Sequence, residues 1–166
     1  MKKPLVSIVM GSDSDLPVMR QASDLLKEFN VPHEVRILSA HRLPKETAAF
    51  AEGAKQRGLK VIIAAAGGAA HLAGVVAAHT TLPVIGVPIE TKSLKGADSL
   101  FSTVQMPPGV PVGTMSIGGA KNAALFALEI LSVADGKMAR KLSRYKREMA
   151  KGVRLKDRNV GFRFPR

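Results

Sequence analysis

Five short apolar runs alternate with longer stretches of helical periodicity, and this alternation constrains the fold more than any other feature of the chain. The runs lie at residues 5–10, 34–38, 61–66, 84–88 and 112–117. Several are apolar at nearly every position, as strands covered on both faces of a sheet require. Five βα units in succession predict a three-layer α/β sandwich around a five-stranded parallel sheet.

The segments between the runs predict the helices of this sandwich. Apolar residues in the segment 16–29 recur at spacings of three and four, which is typical of one buried helix face. Further helices are expected at residues 44–57, where Gly58 would end the helix, at 70–79, at 97–104, and from residue 120 onward. The sequence therefore predicts a flavodoxin-like αβα fold with strand order 2-1-3-4-5 and a long C-terminal helix.

Composition excludes several classes of function. The 166 residues are 46% hydrophobic but only 4% aromatic, so one domain with a core of Ala, Val, Ile and Leu is expected. The absence of cysteine excludes disulfides and thiolate nucleophiles, and four histidines at unrelated spacings do not predict a metal site. No run is long enough to span a bilayer and the N-terminus lacks a secretory cleavage site, so cytoplasmic residence is expected.

The net charge of +12 is concentrated at the C-terminal end. Residues 137–166 hold 12 of the 25 Lys and Arg residues but only two of the 13 Asp and Glu residues. We therefore predict a catalytic domain at 1–136 and a basic helix with a tail at 137–166. Nucleic-acid binding through this tail is the alternative, but its few aromatic residues (Tyr145, Phe162, Phe164) offer little for base stacking.

The basic segment also carries a narrow apolar stripe. Met138, Leu142, Tyr145 and Met149 follow one another at spacings of three and four. A narrow stripe on an otherwise basic helix fits a groove on a neighbouring subunit. The sequence thus favours a homo-oligomer, with neither a membrane nor a nucleic acid as partner.

Three unusual loops should meet at one edge of the sheet. Ligands of such sheets bind outside the carboxyl ends of the strands, where the strand order reverses. Strands 2, 1 and 3 would be neighbours there, and their exit loops are "SAHRLP" (39–44), "GSDSD" (11–15) and "AGGAAHLAG" (66–74). Their convergence predicts a small-molecule site.

The first loop places two hydroxyls and two carboxylates at the start of a helix. Ser12, Asp13, Ser14 and Asp15 exceed what a helix cap needs, although Ser14 or Asp15 could serve as one. A hydroxyl with free backbone N–H groups suits a phosphate, and a carboxylate suits ribose hydroxyls. A Walker Gly-Lys-Ser/Thr sequence is absent, so ATP hydrolysis is not predicted.

The second loop combines an anion binder with a proton carrier. Arg42 offers a planar fork of donors for phosphate, unless it forms a surface ion pair. His41 carries the type of side chain that both gives and takes a proton near neutral pH. Ser39 adds a hydroxyl, although Ser and His at such turns also serve as caps.

The third loop is built of small residues. Gly67 and Gly68 allow a ligand to approach the backbone, and Ala69 keeps the floor of the site small. The spacing does not match a dinucleotide-binding fingerprint. His71 and Leu72 begin the next helix, where His71 is either a site residue or a core or capping histidine.

Together with "TTLPVIGVP" (80–88) and "SLFSTVQMPPGVPVGT" (99–114), these loops resemble one family over about residues 6–131. This is the small-subunit type of phosphoribosylaminoimidazole carboxylase (PurE family), in its N5-carboxyaminoimidazole ribonucleotide mutase branch. The resemblance implies conversion of N5-carboxyaminoimidazole ribonucleotide to 4-carboxy-5-aminoimidazole ribonucleotide in purine biosynthesis. It also implies a homo-octamer with sites at subunit junctions, no cofactor or metal, and functional coupling to an ATP-dependent synthetase.

The resemblance also implies roles for individual residues. Ser12 and Asp15 would meet the ribose phosphate of the ribonucleotide substrate, and Ser39 and Arg42 would bind phosphate and carboxylate. His41 would be the proton shuttle between the exocyclic nitrogen and ring carbon 4.

The third loop separates two branches of the family. Residues 67–72 would line a pocket that traps the released CO2. A sister branch that carboxylates aminoimidazole ribonucleotide with free CO2 has Lys in place of Arg42 and lacks the "GGAAHL" run, so the mutase is favoured. The free-CO2 carboxylase and a non-catalytic nucleotide-binding module are the alternatives.

Overall fold

A five-stranded parallel sheet forms the centre of the computed structural model, which describes residues 3–160. The strands are β1 (Val6–Met10), β2 (His33–Ile37), β3 (Val61–Gly67), β4 (Val84–Ile89) and β5 (Gly113–Thr114). Their order is β2-β1-β3-β4-β5, as the sequence predicts. β1, β4 and most of β3 are buried at successive positions, so helices cover both faces of the central strands.

Helices follow the strands in the expected alternation. They are α1 (Leu16–Glu28), α2 (Pro44–Glu52), α3 (Leu72–Ala78), α4 (Ala97–Val104), α5 (Ala120–Ser132) and α6 (Gly136–Val160), with a 3-10 turn at Asp13–Asp15. On one face of the sheet, Val9, Ile62 and Ala64 pack with Phe50 of α2 and Val76 of α3. This packing fixes the starts of α2 and α3, and therefore the loops that precede them.

The second helix is shorter than predicted. It ends at Glu52 rather than at residue 57, and the chain continues in turns to Gly58, whose φ of +98° suits glycine. Arg57 donates from Nη2 to the Phe50 carbonyl at 3.0 Å, while the Ala54 N–H bonds to the Ala51 carbonyl instead. A side chain thus takes the acceptor that the next helical turn would use.

The fifth strand is also shorter than the predicted run 112–117. It comprises Gly113 and Thr114, which pair with Ile85 and Gly86 of β4. Pro88 of β4 has no N–H to donate, so the ladder cannot continue regularly beyond this point. The bounds of the other predicted strands and of the helices over 16–29, 70–79 and 97–104 agree with the structure within two residues.

The predicted long helix from residue 120 is two helices. Asp135 caps the start of α6 after the interruption, because its Oδ1 accepts from the N–H groups of Lys137 and Met138 at 2.8 and 3.1 Å. The chain divides into two compact units between Ile130 and Leu131. The functional division at residue 136 stays a prediction.

The basic segment is helical to the end of the described residues, because α6 continues to Val160. Of the predicted apolar stripe, Met138 and Leu142 are buried, Tyr145 is partly buried and Met149 is exposed. The tail at 161–166, with Phe162 and Phe164, lies outside the described residues.

Candidate functional site

A cavity of about 670 Å³ lies at the carboxyl edge of the sheet, where the exits of β1 to β4 meet. It is lined by Gly11, Ser12, Ser14, Asp15, Ser39, Ala40, His41, Arg42, Ala66, Gly67, Gly68, Ala69, Leu72, Ile89, Glu90 and Thr91. All three predicted loops therefore contribute to one cavity. Asp13 lines an adjoining depression, and His71 contacts His41.

The first loop uses Ser12 as its cap. The Ser12 hydroxyl accepts from the Ser14 N–H at 3.3 Å, whereas Asp15, at the start of α1, makes no capping hydrogen bond with its side chain. Asp15 is only 6% exposed, and its Oδ1 accepts from the Ser14 hydroxyl at 3.2 Å. The capping side chain is therefore that of Ser12, not that of Ser14 or Asp15 as predicted.

The carboxylate of Asp15 is held in an unfavourable environment. Burial raises its pKa above the usual 3.8, and the Ser14 hydroxyl and backbone groups of Ser12 and Gly11 only partly oppose this. A buried carboxylate that lines a cavity gains by meeting a ligand's hydroxyl groups, because these replace the water it has lost.

Arg42 joins the second loop to the first. Its Nε donates to the Ser39 hydroxyl at 3.2 Å, and its Nη2 donates to the Gly11 carbonyl at 2.8 Å. Both acceptors are uncharged, so these bonds orient the guanidinium without neutralising it. Such a cation at the edge of the cavity suits a phosphate or carboxylate of a ligand.

The two histidines of the site are hydrogen-bonded to each other. Nε2 of His41 lies 2.9 Å from Nδ1 of His71, and the rings meet edge to face at 89°. A hydrogen bond between two imidazole nitrogens needs one donor and one acceptor, so it is lost when both nitrogens carry protons. His71 thus reaches the site through His41 and does not itself line the cavity.

The third loop forms the least polar part of the cavity. Gly68 has a φ of +67°, a conformation that favours glycine. A Cβ at Gly67 would meet Cβ and the carbonyl oxygen of Ile89 at 3.6 and 3.7 Å. With Ala69 and Leu72 beside these glycines, the wall offers few side-chain hydrogen-bonding groups.

Sequence reasoning missed the contribution of β4. Ile89, the last residue of this strand, lines the cavity together with Glu90 and Thr91, which follow it. Thr91 donates its hydroxyl to the Asp98 carboxylate at 2.9 Å, which fixes the direction of the loop. The predicted strand order was a usable signal, since it places β4 next to β3.

The remaining histidines have structural contacts away from the cavity. His33 meets the Ser23 hydroxyl at 2.8 Å, and His79 pairs with Glu52 at 3.0 Å. Within residues 3–160, no group of three or more potential metal-ligating side chains is suitably arranged. The same residues include no helix that is both long and apolar enough to cross a membrane.

Comparison with known proteins gives these loops a family context. The N5-carboxyaminoimidazole ribonucleotide mutase of Pyrococcus horikoshii is 55% identical over 96% of this chain and 90% of its own length. The Bacillus subtilis protein of the same name is 60% identical over 84% of this chain and 88% of its own. The solved structure of Treponema denticola PurE superposes with a TM-score of 0.86 at 29% identity, covering 96% of this chain and 99% of its own.

The family assignment rests on most of the chain rather than on the three loops alone. The profile described as AIR carboxylase matches residues 5–152, which include all five strands and every residue that lines the cavity. This chain belongs to the AIR carboxylase family.

Proposed function

We propose that this protein is an isomerase that converts N5-carboxyaminoimidazole ribonucleotide to 4-carboxy-5-aminoimidazole ribonucleotide in purine biosynthesis. Relatives of that name at 55% and 60% identity support the reaction. The observation that carries the proposal is the position of His41, in one cavity with Arg42, Asp15 and an apolar glycine-rich wall.

The substrate would bind through its ionic and hydroxyl groups. Arg42 and the Ser39 hydroxyl would hold phosphate and carboxylate, and Ser12, Ser14 and Asp15 would meet the ribose phosphate. Asp13, which lines the adjoining depression, would contact the substrate at the edge of the same loop. These contacts would place the imidazole ring of the substrate near His41 and the third loop.

Proton transfer by His41 would balance both halves of the reaction. Cleavage of the nitrogen–carboxylate bond releases CO2 and leaves an electron pair on nitrogen, which takes a proton from His41. Ring carbon 4 then attacks CO2, and the neutral His41 removes the proton from that carbon. One histidine therefore returns to its starting state after each turnover.

The small-residue wall would retain CO2 between the two steps. CO2 is a poor hydrogen-bonding partner, so residues 67–69 with Leu72 suit it better than a polar surface does. Exclusion of water from this wall would keep the intermediate from dissolving.

Substitution of His41 tests the mechanism. In an ultraviolet assay without ATP, His41→Asn should abolish turnover while ribonucleotide affinity stays within roughly tenfold, because the amide cannot carry the proton. His79→Asn is the matched control, since His79 lies outside the cavity. Near-normal turnover of His41→Asn would remove this residue from the mechanism, and unmeasurable turnover of the parent would favour a non-catalytic nucleotide-binding module.

Isotope labelling separates the mutase from a carboxylase that uses free CO2. Labelled bicarbonate should enter the product only slowly, because the transferred carboxylate comes from the substrate. Full incorporation on each turnover, with aminoimidazole ribonucleotide as substrate, would instead identify the carboxylase.

We also propose a cytoplasmic homo-octamer that is functionally coupled to the ATP-dependent synthetase of its substrate, as the family resemblance implies. The partly exposed apolar stripe of α6 supports a role for residues 137–166 in assembly rather than in nucleic-acid binding. Truncation after Gly136 should lower the assembly state by light scattering and the activity with it. If the truncated protein stays octameric but loses its affinity for polynucleotides in low salt, the nucleic-acid alternative is supported.

A further inference from the structure

We infer that Ser99, which lies outside the cavity lining, is a positioning residue that holds the CO2-retaining wall in its dry conformation. The inference rests on the proposed mutase function and deepens it. Ser99 belongs to α4, a helix that had no assigned role in the site. Its hydroxyl joins the exits of β3 and β4.

The Ser99 hydroxyl makes two hydrogen bonds at once. It donates to the Ile89 carbonyl at 2.6 Å and accepts from the Gly68 N–H at 2.9 Å. A hydroxyl has one proton and two lone pairs, so the two bonds are compatible. Ser99 is fully buried, so its hydroxyl and both of these bonds are shielded from solvent.

These bonds lie just beyond the regular part of the sheet. Gly67 and Ile89 are the last register pair between β3 and β4. Beyond this pair the two chains separate, and Ser99 bridges the Ile89 carbonyl to the Gly68 amide across the gap. The hydroxyl therefore continues the connection between the strands into the wall of the cavity.

The conformation of Gly68 makes such a bridge necessary. Glycine populates many backbone conformations, and Gly68 is held in one with a φ of +67°. The neighbouring Ser102 hydroxyl lies 3.3 Å from the Gly68 carbonyl but only 2.7 Å from the Asp98 carbonyl, so it bonds better within its own helix. Ser99 thus supplies the well-formed bond that orients the Gly68 amide.

The orientation of this amide bears directly on CO2 retention. An N–H that has lost its buried acceptor turns toward a polar partner, and water in the adjoining cavity is the available one. Water at the wall competes with CO2 for the same space and opens a route for its escape. Ser99 thereby acts through Gly68 on the fate of the intermediate, without touching the substrate.

The test measures how often the released CO2 is lost. Ser99→Ala should increase incorporation of labelled bicarbonate per turnover by about threefold or more, with the KM for ribonucleotide changed by less than about twofold. Ser7→Ala is the matched control, because it also removes a fully buried hydroxyl, which donates to Glu34 at 3.0 Å. Unchanged labelling in Ser99→Ala, or an equal increase in Ser7→Ala, would overturn the inference.

A second measurement needs no variant. Amide hydrogen exchange of the parent protein should be much slower at Gly68 than at Gly109, an exposed glycine that also has a positive φ. Equally fast exchange at the two glycines would overturn the inference even if Ser99→Ala does not fold. Full labelling by the parent protein would instead reject the mutase function itself, so the two failures are distinguishable.

Discussion

Replacement of Asp15 by asparagine should make the protein more stable and a weaker binder of its substrate. Asp15 lines the cavity yet is 6% exposed, and burial is the largest influence that raises its pKa. Asparagine has nearly the same shape and can accept the same hydrogen bond from the Ser14 hydroxyl, now 3.2 Å long. The change therefore removes a buried charge and little else.

The stability gain follows from proton linkage. Because the pKa of Asp15 is higher in the folded protein than its ordinary 3.8, the folded state binds the proton more tightly than the unfolded state does. The free energy of unfolding therefore falls as the pH rises between these two pKa values, and the deficit persists at higher pH. One proton changes this free energy by at most about 1.4 kcal/mol per pH unit, so the advantage of Asp15→Asn grows across this window and is then constant.

The same substitution should weaken ribonucleotide binding although it raises the free energy of unfolding. A charged hydrogen bond to a buried ligand group contributes on the order of 1.5–3 kcal/mol, which corresponds to about 10- to 150-fold in the ribonucleotide dissociation constant. General damage to the fold lowers stability and affinity together. Opposite changes in one variant therefore identify a carboxylate that is kept for binding.

Denaturant unfolding at several pH values from 4 to 7 and calorimetric titration with ribonucleotide measure the two effects. Asp24→Asn is the control, since Asp24 is an exposed carboxylate of α1 in a surface pair with Lys27, and such pairs contribute little. Equal or lower stability of Asp15→Asn at pH 7 would refute the burial argument. Unchanged affinity would refute the role of Asp15 in binding.

Three further substitutions probe the rest of the chain. Arg42→Lys keeps the charge but loses the planar fork, so ribonucleotide affinity should fall by about tenfold in calorimetry. An affinity equal to that of the parent protein would show that only the charge of Arg42 contributes to binding. His71→Phe removes the nitrogen bonded to His41, so kcat should fall with KM within about twofold, and equal changes in both constants would argue against positioning. Asp135→Ala should lower the melting temperature followed by circular dichroism at pH 7. The backbone bonds that lower the Asp135 pKa are stronger to the ionised carboxylate, so the difference from the parent should shrink as the pH falls well below 3.8, and a pH-independent difference would contradict this.

The parallel sheet was predictable because burial on both faces leaves a direct mark on the sequence. β1 and β4 are apolar or small at nearly every position, and only a covered parallel sheet accounts for such runs between helices. The end of α2 was not predictable in this way. It depends on the Arg57 side chain reaching the Phe50 carbonyl, a contact that helical periodicity does not encode.

The candidate site was predictable where its residues are chemically unusual. Asp15, His41 and Arg42 are conspicuous because they follow apolar strands, and the strand order brings them together. Glu90 and Thr91 follow β4 in the same manner but are ordinary residues for a surface loop. Their place in the cavity follows from the adjacency of β3 and β4 rather than from their own chemistry.

The contact between the two histidines follows only in part from the strand order. His41 lies four residues beyond Ile37 of β2, and His71 lies four residues beyond Gly67 of β3. Ile37 and Ala65 are both level with Met10 of β1, so β3 extends two residues further than β2 at this edge of the sheet. Because β2 and β3 flank β1 on either side, the loops that follow them face each other across the β1 exit, and the hydrogen bond between His41 and His71 joins these two loops. The strand order thus predicts that the loops meet, whereas the pairing of these two side chains depends on the course of each loop.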